Sequence, residues 1–550
     1  MATDQHNGAG QNTELDAFIV GAGFAGMHML YWLRDTLGFS ARVYEAASDL
    51  GGTWYCNRYP GARCDSESIY YMFPDRVSEE ILQEWTWSER YARQPEILRY
   101  LQFAADKLDL RRDMQFDTRV ESAVFDETTS RWNITTDSGE HIIAKFFITG
   151  VGCLSIPFTP KFKGIESFQG ESFHTAEWPH EGVDLAGKRV AVIGTGATAV
   201  QIVPEIAEET DHLYVFQRTP SHDLPGRNRP LGKEYIEEVK ATYKEIWKTA
   251  REAPAGFPFK RGPKSALEVS PEERQSAYEA AWERGGLVSL SGTFSDLGLN
   301  KEANDTVNDF IRSKIREVVR DPEVADLLTP KYPFGTKRPP IEHGYYEAFN
   351  RDNVDLVDVR RAPIEEITPQ GVRTADAEYE VDCIIYATGF DAMTGTLLKM
   401  DIRGRGGVPL KEKWADGPVT YLGVAAQGFP NMFMITGPQS PSVLANMPIA
   451  IEQHVEWIAG CMDHMREQRL ECIEALGEAE ESWMEHHTMI ANATMIPQTD
   501  SWWVGANIPG KKRILYPYLG GMPTYRMKCD EVADNSYEGF ALSPQPVTAG

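Results

Sequence analysis

Residues 16–26 read DAFIVGAGFAG, and this short run decides the fold. DAFIV is an apolar strand, and Gly21, Gly23 and Gly26 follow it at once as G-x-G-x-x-G. The next stretch, AGMHMLYWLRDTLG (25–38), puts Met29, Leu30, Leu33 and Leu37 at helical spacing. ARVYEA (41–46) then reads as a second strand ending near Glu45. Each part has a task in dinucleotide binding. Gly21 makes the tight turn, Gly23 lets a pyrophosphate approach the backbone, and Gly26 lets helix and strand pack closely. The helix N-terminus offers unpaired N–H groups to the pyrophosphate. Glu45, 19 residues beyond Gly26, can hold a ribose 2′-hydroxyl and repels a 2′-phosphate. FAD or NAD is therefore expected here, rather than NADP.

GKRVAVIGTGATAVQIVPEIAE (187–208) repeats the logic. KRVAVI is a strand, and Gly194, Thr195, Gly196, Ala197 and Ala199 form a second G-x-G-x-x-A turn leading into a helix from about Ala197 to Glu208. HLYVFQRT (212–219) is the next strand. It ends in Gln217, Arg218 and Thr219 instead of an acid. A cation and a hydroxyl accommodate a 2′-phosphate, so NADP(H) is expected at this second site. Three further runs, KFFITGVG (145–152), VDCIIYATGFD (381–391) and YLGVAAQGFPNMFMITGP (421–438), read as strands returning the chain to the nucleotide domains.

The predicted fold is α/β, with two Rossmann-like dinucleotide-binding domains and a helical insertion. The first domain is expected to be discontinuous, over 14–153 and 390–541. The second covers 154–221 and 339–389, and residues 222–338, rich in charged helix-prone segments, form the insertion. Residues 1–13 and 542–550 are expected to be flexible termini. The helix predicted over 447–465 can present its N-terminus, near Asn446 and Met447, to a cofactor.

With 550 residues the chain exceeds a single hydrophobic core. Its net charge of −26 argues against nucleic acid or an anionic membrane as partner. Seven scattered cysteines contain no C-x-x-C pair, which argues against a structural zinc site or a dithiol redox centre and fits a reducing, cytoplasmic setting; no metal is expected. The start lacks a signal-peptide pattern, and no run of 18 apolar residues predicts a transmembrane span.

Between the two turns lies FQGESFHTAEWP (168–179). This F-x-G-x-x-x-H-T-x-x-W-P pattern, formed by Phe168, Gly170, His174, Thr175, Trp178 and Pro179, resembles the signature of the type I Baeyer–Villiger monooxygenases. GGTWYCNRYPGARCDSES, YPFGTKR, ATGFDAMTG, GPQSPSVLANM and SWWVGANIPGK carry the resemblance over nearly all of residues 14–541. The resemblance implies class B flavoprotein monooxygenase architecture, with non-covalent FAD and with NADPH as reductant. It implies insertion of oxygen next to the carbonyl of an aryl or cyclic ketone through a C4a-peroxyflavin, giving an ester or lactone. Sulfoxidation is the expected side activity.

By matched motif, Arg338 is the implied catalytic arginine and Asp65 the carboxylate that places it. Thr53, Trp54 and Tyr71 are implied at the FAD site, and Lys337, Arg218 and Thr219 at the NADP 2′-phosphate. Ser442, Val443, Met447 and Trp502 are implied in the pocket, Met447 and Trp502 touching cofactor as well. His174 is expected to act through domain geometry in a linker rather than as a base. The chain departs from the family at Cys56, where tryptophan is common. The implied partners are a small ketone and dioxygen, with no protein redox partner, in a monomer or weak homo-oligomer. An N- or S-oxygenating relative is the alternative. A flavin disulfide reductase lacks its dithiol here, and a non-enzymatic NADP sensor leaves Asp65 and Arg338 without a task.

Overall fold

Two large sheets, one mixed and one parallel, organise residues 13–544, the part of the chain that the computed structural model describes. The first runs in the order β3 (Met114–Gln115), β2 (Ala41–Tyr44), β1 (Thr13–Val20), β6 (His141–Thr149), β5 (Arg131–Thr136), β4 (Val120–Asp126) and β17 (Asp401–Arg403). β18 (Met432–Met434) pairs in parallel with the far end of β6. β1 is parallel to both neighbours and lies at the sheet centre, so Ala17, Phe18 and Ile19 are wholly buried. Such two-sided burial explains the continuous apolar run DAFIV.

The helix Phe24–Tyr31 is buried on almost every side and continues as a π-helical turn over Trp32–Thr36. It packs against the long helix Met447–Glu467 and is part of the core nearly all round. A Cβ on Gly26 would fall 1.8 Å from the Gly21 carbonyl oxygen; only glycine permits this approach.

The second sheet is wholly parallel: β12 (Val354–Asp358), β9 (His212–Gln217), β8 (Arg189–Ile193), β16 (Cys383–Tyr386) and β7 (Glu171–His174). The helix Ala197–Ile206 covers one face. The small antiparallel sheet β13 (Ile364–Thr368), β14 (Gly371–Thr374) and β15 (Glu378–Glu380) covers the other. Four helices, Lys233–Glu252, Pro271–Arg284, Lys301–Val318 and Pro322–Leu328, fill the stretch before Arg338. A short parallel pair, β10 (Leu224–Pro225) and β11 (Ile341–Glu342), closes its base.

The F-x-G…W-P stretch is built into the second sheet. Glu171–His174 is edge strand β7, in register with Cys383–Tyr386. Phe168 packs on one face with Phe162, Ile165 and Tyr379, and Trp178 packs on the other, 5.6 Å from Phe173. A Cβ on Gly170 would meet the Asp382 carbonyl oxygen at 2.4 Å and the Phe168 ring at 2.6 Å. The chain crosses between the two sheets twice, and the crossings are paired. Phe158 N donates to Gly389 O (2.9 Å), Asp391 N to Ile156 O (2.8 Å) and Met393 N to Cys153 O (2.7 Å).

Two expectations are corrected. The run 421–438 contributes only the three-residue strand β18. Leu422 adopts φ 56°, and Val424 N donates back to Tyr421 O, so turns replace the expected strand. At the ends, Thr13 already pairs with Ile142, and β20 (Phe540–Ser543) is hydrogen-bonded to β19 (Cys472–Ala475). The remaining terminal residues, 1–12 and 545–550, lie outside the described part. No helix among the described residues is long and apolar enough to cross a membrane.

Candidate active site

The glycine turns place two helix N-termini at the ends of their strands. The helix Phe24–Tyr31 starts from Gly23 and the helix Ala197–Ile206 from Gly196, and neither has a side-chain cap. Their first N–H groups are thus free for an anion. A Cβ on Gly196 would meet nothing within 4 Å, so its turn borders open space. Glu45 spans the first turn: Oε2 accepts from Ala22 N (2.8 Å) and Oε1 from Ala47 N (2.9 Å). Each carboxylate oxygen keeps a second lone pair for a hydroxyl. These features fit a dinucleotide with unphosphorylated ribose. Thr53, at the start of the short helix Thr53–Cys56, is exposed. Trp54 beside it is buried and donates through Nε1 to the Tyr71 hydroxyl (3.2 Å).

At the second turn the Thr195 hydroxyl donates to Thr219 O (2.8 Å), which fixes the end of β9. Ala197 opens the helix there. Lys337 hangs over the Tyr332 ring, 4.7 Å from its centroid. Burial and the neighbouring charge of Arg218 depress the Lys337 ammonium to a pKa of about 8. Two cations close enough to repel one another, with no carboxylate in ion-pair contact among the described residues, fit a dianionic phosphate. The donor set agrees with a 2′-phosphorylated nucleotide.

A third cluster joins segments distant in sequence. Arg338 Nη2 donates to Asp65 Oδ2 (3.1 Å), and Nη1 reaches the Val443 carbonyl (3.5 Å). Arg338 Nε and Asp65 Oδ1 are buried without partners. Burial raises the Asp65 carboxyl above its ordinary range, while the Arg338 guanidinium opposes that shift. Cys153, Met393 and Tyr516, with Val443, Met447 and Trp502 packed on them, make an apolar wall.

Asp65, Arg338, Val443, Met447 and Trp502 therefore converge. Ser442 does not present its hydroxyl to this space: it is fully buried, 2.9 Å from Cys153 Sγ, and donates to Met393 Sδ. The motif residues stand apart in the second sheet. Thr175 Oγ1 donates to Tyr386 O (3.4 Å), and Pro179 O accepts from Gly182 N. His174 Nδ1 accepts from Ala176 N (3.1 Å), and Nε2 lies 3.5 Å from Thr388 Oγ1 beside the paired crossing. Burial lowers the His174 pKa, which keeps the ring neutral.

Sequence reasoning missed Gln201. From the second domain's helix it accepts from Tyr59 Oη (2.8 Å) and Arg63 N (3.3 Å), and it donates to Arg63 O (3.0 Å). This holds the segment ending in Asp65 against the second domain. Only the tertiary fold brings these residues together; the sequence carries no signal for it.

Two nucleotide-type sheets with an arginine–carboxylate pair and an apolar wall between them define a two-nucleotide oxidoreductase. The flavin-binding monooxygenase-like family model matches residues 16–229. A Baeyer–Villiger monooxygenase of Pseudooceanicola batsensis is 45% identical over 526 residues, 95% of each chain. The phenazine N-monooxygenase PhzNO1 of Lysobacter antibioticus is 43% identical, over 97% of this chain and 98% of its own. A crystal structure of OTEMO in complex with FAD and NADP superposes with a TM-score of 0.93 at 43% identity, covering 97% of this chain and all of the other. The chain belongs to the type I Baeyer–Villiger monooxygenases.

Proposed function

We propose that the protein oxidises aryl or cyclic ketones to esters or lactones, with FAD at the first turn and NADPH at the second. The balance is ketone, O2, NADPH and a proton giving ester, water and NADP⁺. Bound FAD, reduced by NADPH, supplies the electrons that activate dioxygen. The observation that carries the reading is the 3.1 Å Arg338–Asp65 pair with its buried, unpartnered Nε. A guanidinium has five N–H donors, and the two bonds to Asp65 and Val443 leave others unspent for an oxygen that gains negative charge. Asp65 fixes the guanidinium plane. The Val443, Met447 and Trp502 wall excludes water and suits an apolar carbonyl compound.

The test is a panel of aryl and cyclic ketones with FAD-loaded protein, NADPH and oxygen. Product mass rises by one oxygen. Peroxide alone across the whole panel would defeat the reading. Arg338→Ala is expected to cut ester formation by roughly 10²–10³-fold while NADPH still reduces the flavin. The similarity to a phenazine N-monooxygenase supports heteroatom oxygenation as a second reading, which amines and sulfides in the same panel separate. Six of the seven cysteines are buried and all seven are free, which supports a reducing, cytoplasmic location. We infer no protein redox partner, and a monomer or weak homo-oligomer.

A further inference from the structure

The helix Lys301–Val318 buries a polar chain that oxygen transfer does not use. Asn304 is fully buried, yet its amide is saturated. Oδ1 accepts from Phe334 N (2.8 Å) and Asn308 Nδ2 (2.9 Å), and Nδ2 donates to Phe334 O (2.9 Å) and Leu297 O (2.6 Å). Both main-chain groups of Phe334 are thus clamped by one side chain, four residues before Arg338. Asparagine is a poor helix former, and its burial is costly unless every valence is filled. An apolar residue would pack here without that cost but would leave the Phe334 backbone unheld.

The chain continues to the second nucleotide turn. His222 Nε2 donates to Asn308 Oδ1 (2.8 Å). The His222 ring stands edge-on to Tyr332 (4.8 Å) and Phe334 (5.5 Å). Tyr332 in turn donates to Pro220 O (3.1 Å) and underlies Lys337. Ser221 Oγ lies 3.0 Å from the Thr195 carbonyl oxygen in the glycine turn. The strand end that carries Arg218 and the loop that carries Lys337 are therefore tied through the insertion.

We propose that Asn304 and Asn308 are positioning residues that hold the Tyr332–Arg338 loop in register with residues 218–223, setting the spacing of Lys337 and Arg218 that selects a 2′-phosphate. The inference rests on the NADPH assignment above. It gives the insertion a task in cofactor discrimination, although neither asparagine is placed at a ligand.

Binding of adenosine 2′,5′-bisphosphate and of adenosine 5′-monophosphate to the FAD-loaded full chain, measured by calorimetry, tests it. Asn304→Ala is expected to weaken the bisphosphate roughly tenfold while moving the monophosphate less than about twofold. The NADPH-over-NADH preference in kcat/KM falls in parallel. Asn308→Ala, which removes the His222 arm and one of the two bonds to Asn304 Oδ1 but leaves the Phe334 clamp, shifts the bisphosphate in the same direction by about threefold. Unchanged bisphosphate binding in variants that retain FAD overturns the proposal, and so does equal weakening of both ligands. If Asn304→Ala fails to hold FAD, Asn308→Ala decides alone. A wild type that binds both adenosine ligands equally defeats the cofactor assignment itself, a failure seen before any variant is made.

Discussion

Lys337 and Arg338 are neighbours in the chain with different surroundings. One rests on Tyr332 near Arg218; the other pairs with Asp65. A single peptide thus joins the phosphate end to the guanidinium. Lys337 also fixes a pH dependence. Its depressed pKa of about 8 means the free protein has the charge below pH 8 and loses it above. NADP⁺ affinity is therefore expected to fall as pH rises from 7 to 9, by up to about tenfold per pH unit above the free pKa. NAD⁺ affinity stays flat over the same range. Titration calorimetry at pH 7, 8 and 9 measures this, and Lys337→Ala should remove the slope. A slope that survives the substitution would exclude Lys337 as its origin.

At the scale of elements, the entry to β7 shows why glycine stands at position 170. Gly170→Ala places a methyl against the Asp382 carbonyl and the Phe168 ring, and edge pairing with β16 has to yield. A loss of about 1–3 kcal/mol is expected, from overpacking of this kind. Urea unfolding should show it, while the FAD content of the folded protein is preserved. Legibility in the sequence follows the same scale. The turns at Gly21–Gly26 and Gly194–Ala199 were readable because strand, glycine and helix are contiguous. The extra polar strut at Gln201 and the clamp of Asn304 on Phe334 were not, since Tyr59 and Phe334 lie 142 and 30 residues from their amides and ordinary amides have no local pattern. Arg338 and Asp65, 273 residues apart, were found only by resemblance, and the fold supplies their contact. The run 421–438 misled because small and apolar residues buried in tight turns have the same composition as a core strand.

For the whole molecule, buried polar contacts join the two sheets. Gln201 makes one of them, serving Tyr59 and Arg63 at once. Gln201→Ala strands those groups, and a destabilisation of about 1–3 kcal/mol is expected. Reduction of bound FAD by NADPH should slow several-fold, as rapid-mixing absorbance at the flavin band would record. An unchanged reduction rate would assign Gln201 to stability alone. The paired crossings at Cys153–Phe158 and Gly389–Met393 have a different consequence. Everything between them leaves and re-enters the first domain through one two-stranded neck. The second sheet and the insertion therefore form a cassette whose two ends already lie side by side. Swapping that cassette between relatives keeps the neck ladder but has to re-match a broad seam: Gln201 with Tyr59 and Arg63, Arg338 with Asp65, Arg251 with Glu452 and Asp75, and the apolar face of the helix Lys233–Glu252.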